Sequence, residues 1–274
     1  MSQSNPLTKY FRQPKIFIQL PSKGLYYPPG VLQGDYTNVP IFGMTGMDEI
    51  IFKTPDALFS GEASAKVIES CCPFITNARA MPNIDVDAVL IAIRIATFGD
   101  NMGITNTCAA CGEENSFDIP LQRLLDYFTS LDFANKIKIS DEISVKLRPL
   151  SYEEATSISI ENFKLQRMLY QTNDLPEEQR NENLNEVYKR LAEIQVELFM
   201  MSIESVQVPD TTVTDKEQIK EWLKNADSSV YKIVKEQLEK NKDTWSMPAQ
   251  EISCGSCGHQ DKVTVTLDQS SFFD

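Results

Sequence analysis

The whole chain holds a single histidine, His259. Metal sites built on several imidazoles are thereby excluded, and a Ser-His-Asp hydrolase would have to rest on that one residue. Basic residues are scarce too: 26 Lys and Arg against 39 Asp and Glu give a formal charge of −13 and a pI near 4.7. A phosphate backbone is held mainly by lysine and arginine, so general affinity for nucleic acid is not expected, and an acidic surface suits protein partners or solubility instead. No apolar run approaches the roughly 20 residues of a membrane-spanning helix; the longest candidate, Val86 to Phe98, is broken by Asp87 and Arg94. The opening MSQSNPLTKYFRQP lacks the apolar stretch and cleavage site of a secretory signal, so a cytoplasmic chain with reduced cysteines is expected. The Gly43 to Gly46 stretch is too short for a phosphate loop and lacks its GK[ST] ending.

What is present is ordinary globular material. Hydrophobic residues make up 42% and charged residues 24% of 274, enough for one large domain or two modest ones. Ile16, Ile18 and Leu20 alternate as a strand before the turn-rich LPSKGLYYPPG. Thr45 or Asp48 is placed to cap a short helix that Pro55 breaks, and a second helix runs from about Gly61 to Cys72. Val86, Val89, Leu90, Ile93 and Phe98 recur at helical spacing, with Gly99 as the stop. Phe117 and Ile119 suggest a strand, Leu121 to Phe128 a helix, and KIKISDEISVKL a hairpin. Three helices are then expected, Ser151 to Gln171, Pro176 to Ser205 and Asp215 to Asn241, with capping boxes at Ser151/Glu154 and Thr214/Glu217. Val263, Val265 and Leu267 alternate as a closing strand.

The chemistry lies in two matched elements, Cys108-Ala-Ala-Cys111-Gly and Cys254-Gly-Ser-Cys257-Gly. Two thiolates separated by two residues can face one ion from a tight turn, and the glycine that follows accepts the backbone angles of that turn. Two such turns complete a tetrahedral tetrathiolate shell, which points to a structural Zn2+ on Cys108, Cys111, Cys254 and Cys257; four thiolates leave no open position for catalysis. Cys254 stands 143 positions after Cys111, far beyond the span of a compact ribbon, so the ribbon must be split by an insertion.

Other readings compete with this one. A lone C-x-x-C serves thioredoxin-like redox chemistry, and four cysteines also hold iron. His259 could replace a thiolate, or stand outside the ligand set as an exposed polar residue. Cys71 and Cys72, adjacent on a helix, read as buried small residues. Asp85 and Asp87 read as acidic residues at a helix start rather than as a catalytic pair. A zinc-ribbon nucleic-acid-binding module is the alternative function, but Glu113, Glu114 and Asp261 flank the knuckles where lysine and arginine would be needed. An enzyme built on scattered carboxylates shows no constellation to support it.

In LPSKGLYYPPG, GMTGMDEIIFKTPDALFSGEA and IESCCPFITNARAMPNIDVDAVLIAIRIATFGD, in that order before the CAACG knuckle, the sequence resembles the T4-type bacteriophage baseplate hub and hub-assembly proteins. The likeness covers about Leu20 to Leu121 and resumes at CGSCG, VTVTL and SSFFD, leaving the helical middle aside. The resemblance implies a non-enzymatic structural or assembly role in the hub region of a contractile-tail baseplate. It also implies partners among other phage baseplate or tail subunits, and a location in the host cytoplasm during assembly and in the virion tail afterwards. The expected fold is α+β: an N-terminal α/β part with the first knuckle over residues 1–150, a helical insertion over 151–246, and the second knuckle with its strand over 247–274 completing a split four-cysteine zinc ribbon.

Overall fold

The computed structural model describes residues 5–53, 60–172 and 176–265. They form an α+β chain that divides into two compact units, one made of the segments up to Leu131 and from Ser246 onward, the other of Asp132–Trp245. Pro55 and Leu267, expected as a helix breaker and a strand residue, lie outside the described residues.

The first unit is built around one helix. β1 (Ile16–Ile18) pairs antiparallel with β2 (Val39–Ile41), and α1 (Gly46–Phe52) and α2 (Glu62–Cys71) follow. Next come α3 (Asn83–Phe98), the strands β3 (Asn101–Thr107) and β4 (Glu114–Pro120), and α4 (Leu121–Ser130). α3 is buried on nearly all sides, from Ile84 and Val86 through Val89, Ile91 and Ile93 to Ala96, as its sparse polar content requires. It ends at Gly99, whose φ of 97° takes the chain out of the helix. Gly43 sits against it so closely that a Cβ would lie 2.9 Å from the Ala96 carbonyl oxygen. That glycine serves packing.

Two polar anchors hold the N-terminal segments onto this core. Thr45 and Asp48 form the expected capping box of α1, and the Arg12 guanidinium reaches Asp48 Oδ2 (3.3 Å), the Gly43 carbonyl (2.5 Å) and both Ser70 oxygens (2.7 and 2.8 Å). The second anchor is Asp85. Its carboxylate is fully buried and accepts from the Ser22 amide (2.7 Å), the Ser22 hydroxyl (2.6 Å) and the Tyr27 hydroxyl (2.8 Å). These bonds fasten the LPSKGLYY turn, in which Lys23 and Tyr26 adopt positive φ. Asp85 stands in the first turn of α3, as read from the sequence, and there it also fixes this loop.

The second unit is not purely helical. β5 (Lys136–Lys138), β6 (Ser144–Leu147), β7 (Ile203–Val208) and β8 (Thr211–Val213) form an antiparallel sheet in that order. Its apolar side joins Ile137, Val145, Leu147, Ile203 and Val206 to Phe199, Ile219 and Val234. The β5–β6 hairpin thus stands in this unit, whose edge is at Asp132, ahead of the border at Ser151 read from the sequence. α5 (Tyr152–Thr172) starts at the expected Ser151/Glu154 capping box, strengthened by Arg148 on Glu154. α6 (Glu177–Ser202) packs on α5 through Leu165, Val187 and Ile194.

Two helix expectations are corrected. α6 stops at Ser202, not Ser205, because Ile203, Ser205 and Val206 gain more by pairing with β6, and Pro209-Asp210 turns the chain into β8. The long helix from Asp215 to Asn241 is two helices, α7 (Lys216–Asn225) and α8 (Ser228–Thr244). The break comes at Asp227, whose side chain accepts from the Ser229 amide as a new N-cap. The α7 cap is Asp215, bonded by the Gln218 amide, rather than Thr214.

Burial pushes the Asp85 carboxyl up to about 6, opposed by the Ser22 and Tyr27 donors. A folded-state pKa above the unfolded value of about 3.9 means that the neutral form favours the fold. This contribution is complete below about pH 4 and lost as the pH rises through about 6. Asp85→Ala, which leaves three donors without their acceptor, is expected to cost about 3 kcal/mol or more. Asp85→Asn is expected to cost less and to reduce the pH dependence of stability between pH 4 and 6. It should not abolish it, because burial also pushes Asp87 up to about 6. Denaturant melts of the three proteins across that range check both outcomes.

Candidate metal centre

The two cysteine pairs sit at the tips of two hairpins of the same design. β3 pairs with β4 from Asn101↔Pro120 to Thr107↔Glu114, and β9 (Ala249–Ser253) pairs with β10 (Gln260–Thr264) from Ala249↔Thr264 to Ser253↔Gln260. Residues 108–113 and 254–259 are the connecting turns, and both are closed by the same two bonds. The first cysteine's amide donates to the carbonyl five residues on, Cys108 to Glu113 and Cys254 to His259, each at 2.8 Å. The glycine after the second cysteine donates back, Gly112 to Cys108 and Gly258 to Cys254, each at 2.9 Å. Those glycines have φ of 77° and 72°, with open space where a Cβ would stand, so the backbone angle rather than crowding requires them.

All four sulfurs lie within 4.8 Å of one another. The cross-hairpin pairs Cys108–Cys257 and Cys111–Cys254 are each at 3.7 Å. Thiolates around a tetrahedral zinc at about 2.3 Å would stand about 3.8 Å apart, so the spacing is compatible with zinc. Cys108 and Cys254 are buried and Cys111 and Cys257 exposed, which sets the centre at the edge of its unit.

The electrostatics fit the same use. The backbone amides of Cys257 and Ser256, joined by the Asn115 side chain, draw the Cys254 thiol down to about 6. Cys111 is pushed up to about 12: the Glu113 amide favours its thiolate, but the sulfurs of Cys257, Cys108 and Cys254 together with desolvation outweigh it. Four sulfurs this close cannot all ionise without a cation among them, and a divalent ion supplies the charge that lets them do so.

Among the described residues, this is the cluster of cysteine, histidine and carboxylate groups able to hold a metal, and His259 is not in it. His259 is exposed and takes part through its backbone carbonyl. Cys71 and Cys72 are buried, as expected, and lie in the helical part of the unit. Sequence reading missed Asn115. Its amide donates to the Glu113 carbonyl (3.0 Å) and to Cys254 Sγ (3.4 Å), while its oxygen accepts from the Gly255 amide (2.9 Å). Aligning the two knuckles sets it opposite Asp261, a contrast that could have drawn attention to it.

Burial pushes the thiols of Cys71 and Cys72 up to about 11 and about 12. Both side chains are also without exposed surface, so alkylation of the native, chelator-treated protein near pH 7.5 is expected to label Cys254, whose thiol is drawn down to about 6, and to spare Cys71 and Cys72 until denaturant is added. Peptide mass mapping of the adducts checks it.

No described helix is long and apolar enough to cross a membrane. Comparison with curated proteins and with solved structures finds no match. Comparison with family models does: the one described as T4 bacteriophage base plate protein matches residues 44–274. The match runs through the helical middle that the resemblance above set aside, and it begins after LPSKGLYYPPG. With both knuckles and everything between them inside it, the chain belongs to the T4 bacteriophage base plate protein family.

Proposed function

We propose that this baseplate component works in the hub region of a contractile tail, either built into the particle or acting during its assembly. A structural Zn2+ on Cys108, Cys111, Cys254 and Cys257 closes its split ribbon. The observation that carries the metal reading is the convergence of four sulfurs from two hairpins whose sequences stand 143 positions apart. Family membership supports a structural role, with other phage tail proteins as partners.

On this reading the chain does no chemistry of its own. The ion organises residues, and Cys108 and Cys111 on one hairpin and Cys254 and Cys257 on the other hold it, bringing the early and late parts of the chain into one body. The segment between the knuckles is then free to present surface to neighbours. Among the described residues, Phe163, Tyr170, Tyr188, Val196 and Tyr231 are the exposed large apolar groups there. The nucleic-acid alternative gains no support from the geometry, since exposed Glu113 and Glu114 flank the first knuckle and Lys262 beside the second is paired with Glu251 at 3.5 Å.

Metal and capture measurements test this. Zinc analysis of the purified protein should give one equivalent per chain, and chelation should lower the melting temperature, because an ion that binds only the folded state adds to its stability. Affinity capture from infected cells should recover tail or baseplate subunits, and mass spectrometry of purified particles should separate a retained subunit from an assembly factor. Capture of no tail protein under conditions that preserve baseplates would remove the hub assignment.

A further inference from the structure

The two knuckles repeat each other in sequence, hydrogen bonding and glycine geometry, yet one contact breaks the symmetry. Asn115 occupies the position in β4 that Asp261 occupies in β10. Asp261 turns to its own strand and accepts from the Lys262 amide. Asn115 crosses to the other hairpin: Gly255 N–H donates to its Oδ1 at 2.9 Å, and its Nδ2 lies 3.4 Å from Cys254 Sγ. The third bond, from Nδ2 to the Glu113 carbonyl at 3.0 Å, fixes which end of the amide faces which neighbour, because the reverse orientation would set oxygen against oxygen.

We infer that Asn115 is the positioning residue of the thiolate centre, clamping the second knuckle onto the first and donating an N–H to the Cys254 sulfur. This rests on the metal reading above. Four thiolates around a divalent cation carry an excess of negative charge, and a neutral amide donor disperses part of it at the sulfur it touches. A carboxylate in the same place would accept from Gly255 equally well but would offer no donor to sulfur and would add charge of the wrong sign. The amide at residue 115 thus separates two duties, holding the turn and favouring the thiolate, that the acid at residue 261 could not combine.

The test compares wild-type protein with Asn115→Ala and Asn115→Asp. In reduced, metal-free protein, hydrogen exchange at the Gly255 amide should be slow in wild type and in N115D, which keeps the acceptor. In N115A it should be at least about ten-fold faster. Titration with Co2+ against a competing chelator should give one equivalent with thiolate-to-cobalt absorption in wild type. It should show binding about 10–100-fold weaker in N115A and weaker still in N115D. If N115A does not fold, N115D decides, since it retains the Gly255 bond. If wild type takes up cobalt and both variants match it within about two-fold, the role of Asn115 is overturned and the metal centre stands. If wild type takes up none, the metal centre fails and this inference falls with it.

Discussion

Two thiol pairs drawn from hairpins far apart in the sequence meet with all four sulfurs within 4.8 Å of one another, a spacing compatible with a shared cation. A two-stranded hairpin is marginal alone in water, because it exposes most of its backbone and buries little. β9–β10 and the residue after it bury Ile252, Cys254 and Val265, a small apolar share for a segment that must hold its place. On the metal reading proposed above, four directed bonds take the place of a broad hydrophobic contact. Such a centre also explains why the turns are so alike, since each has to present two sulfurs at the angles of a tetrahedron, and the positive-φ glycine after the second cysteine sets that geometry.

The remainder of the first unit depends on burial of a different kind. α3 is surrounded, and the N-terminal segments reach it through polar anchors, Arg12 with Asp48 and Asp85 with Ser22 and Tyr27. A buried carboxylate with three donors is costly to desolvate and unforgiving if one partner is lost, which makes such a contact better at fixing a single loop conformation than at adding stability. In a protein that must fit neighbouring subunits, a fixed loop is worth that cost.

What the sequence made legible follows from how local each signal is. The knuckles were readable because two cysteines and a glycine within five residues carry the chemistry of the turn, and the first helix cap because Thr45 and Asp48 lie in one turn of backbone. α3 showed in its periodicity, although its nearly complete burial hid which face would meet what. The rest depended on partners distant in the chain. Ile203 to Val208 continues an amphipathic pattern and becomes a strand only because β6 lies beside it. The break before α8 rested on one aspartate competing with helix propagation. Asp85 and Asn115 look like ordinary polar residues until Ser22 and Gly255 are brought to them.

Family membership and the cysteine geometry are independent lines that describe a baseplate protein whose early and late segments bring four cysteines together, with a separate α+β unit between those segments in the sequence. X-ray absorption at the zinc edge of the purified protein tests the proposed shared centre most directly. The account predicts four sulfur neighbours at about 2.3 Å and no nitrogen or oxygen in the shell. A shell containing the His259 imidazole or water, or a protein that holds no zinc after preparation without chelator, would contradict it.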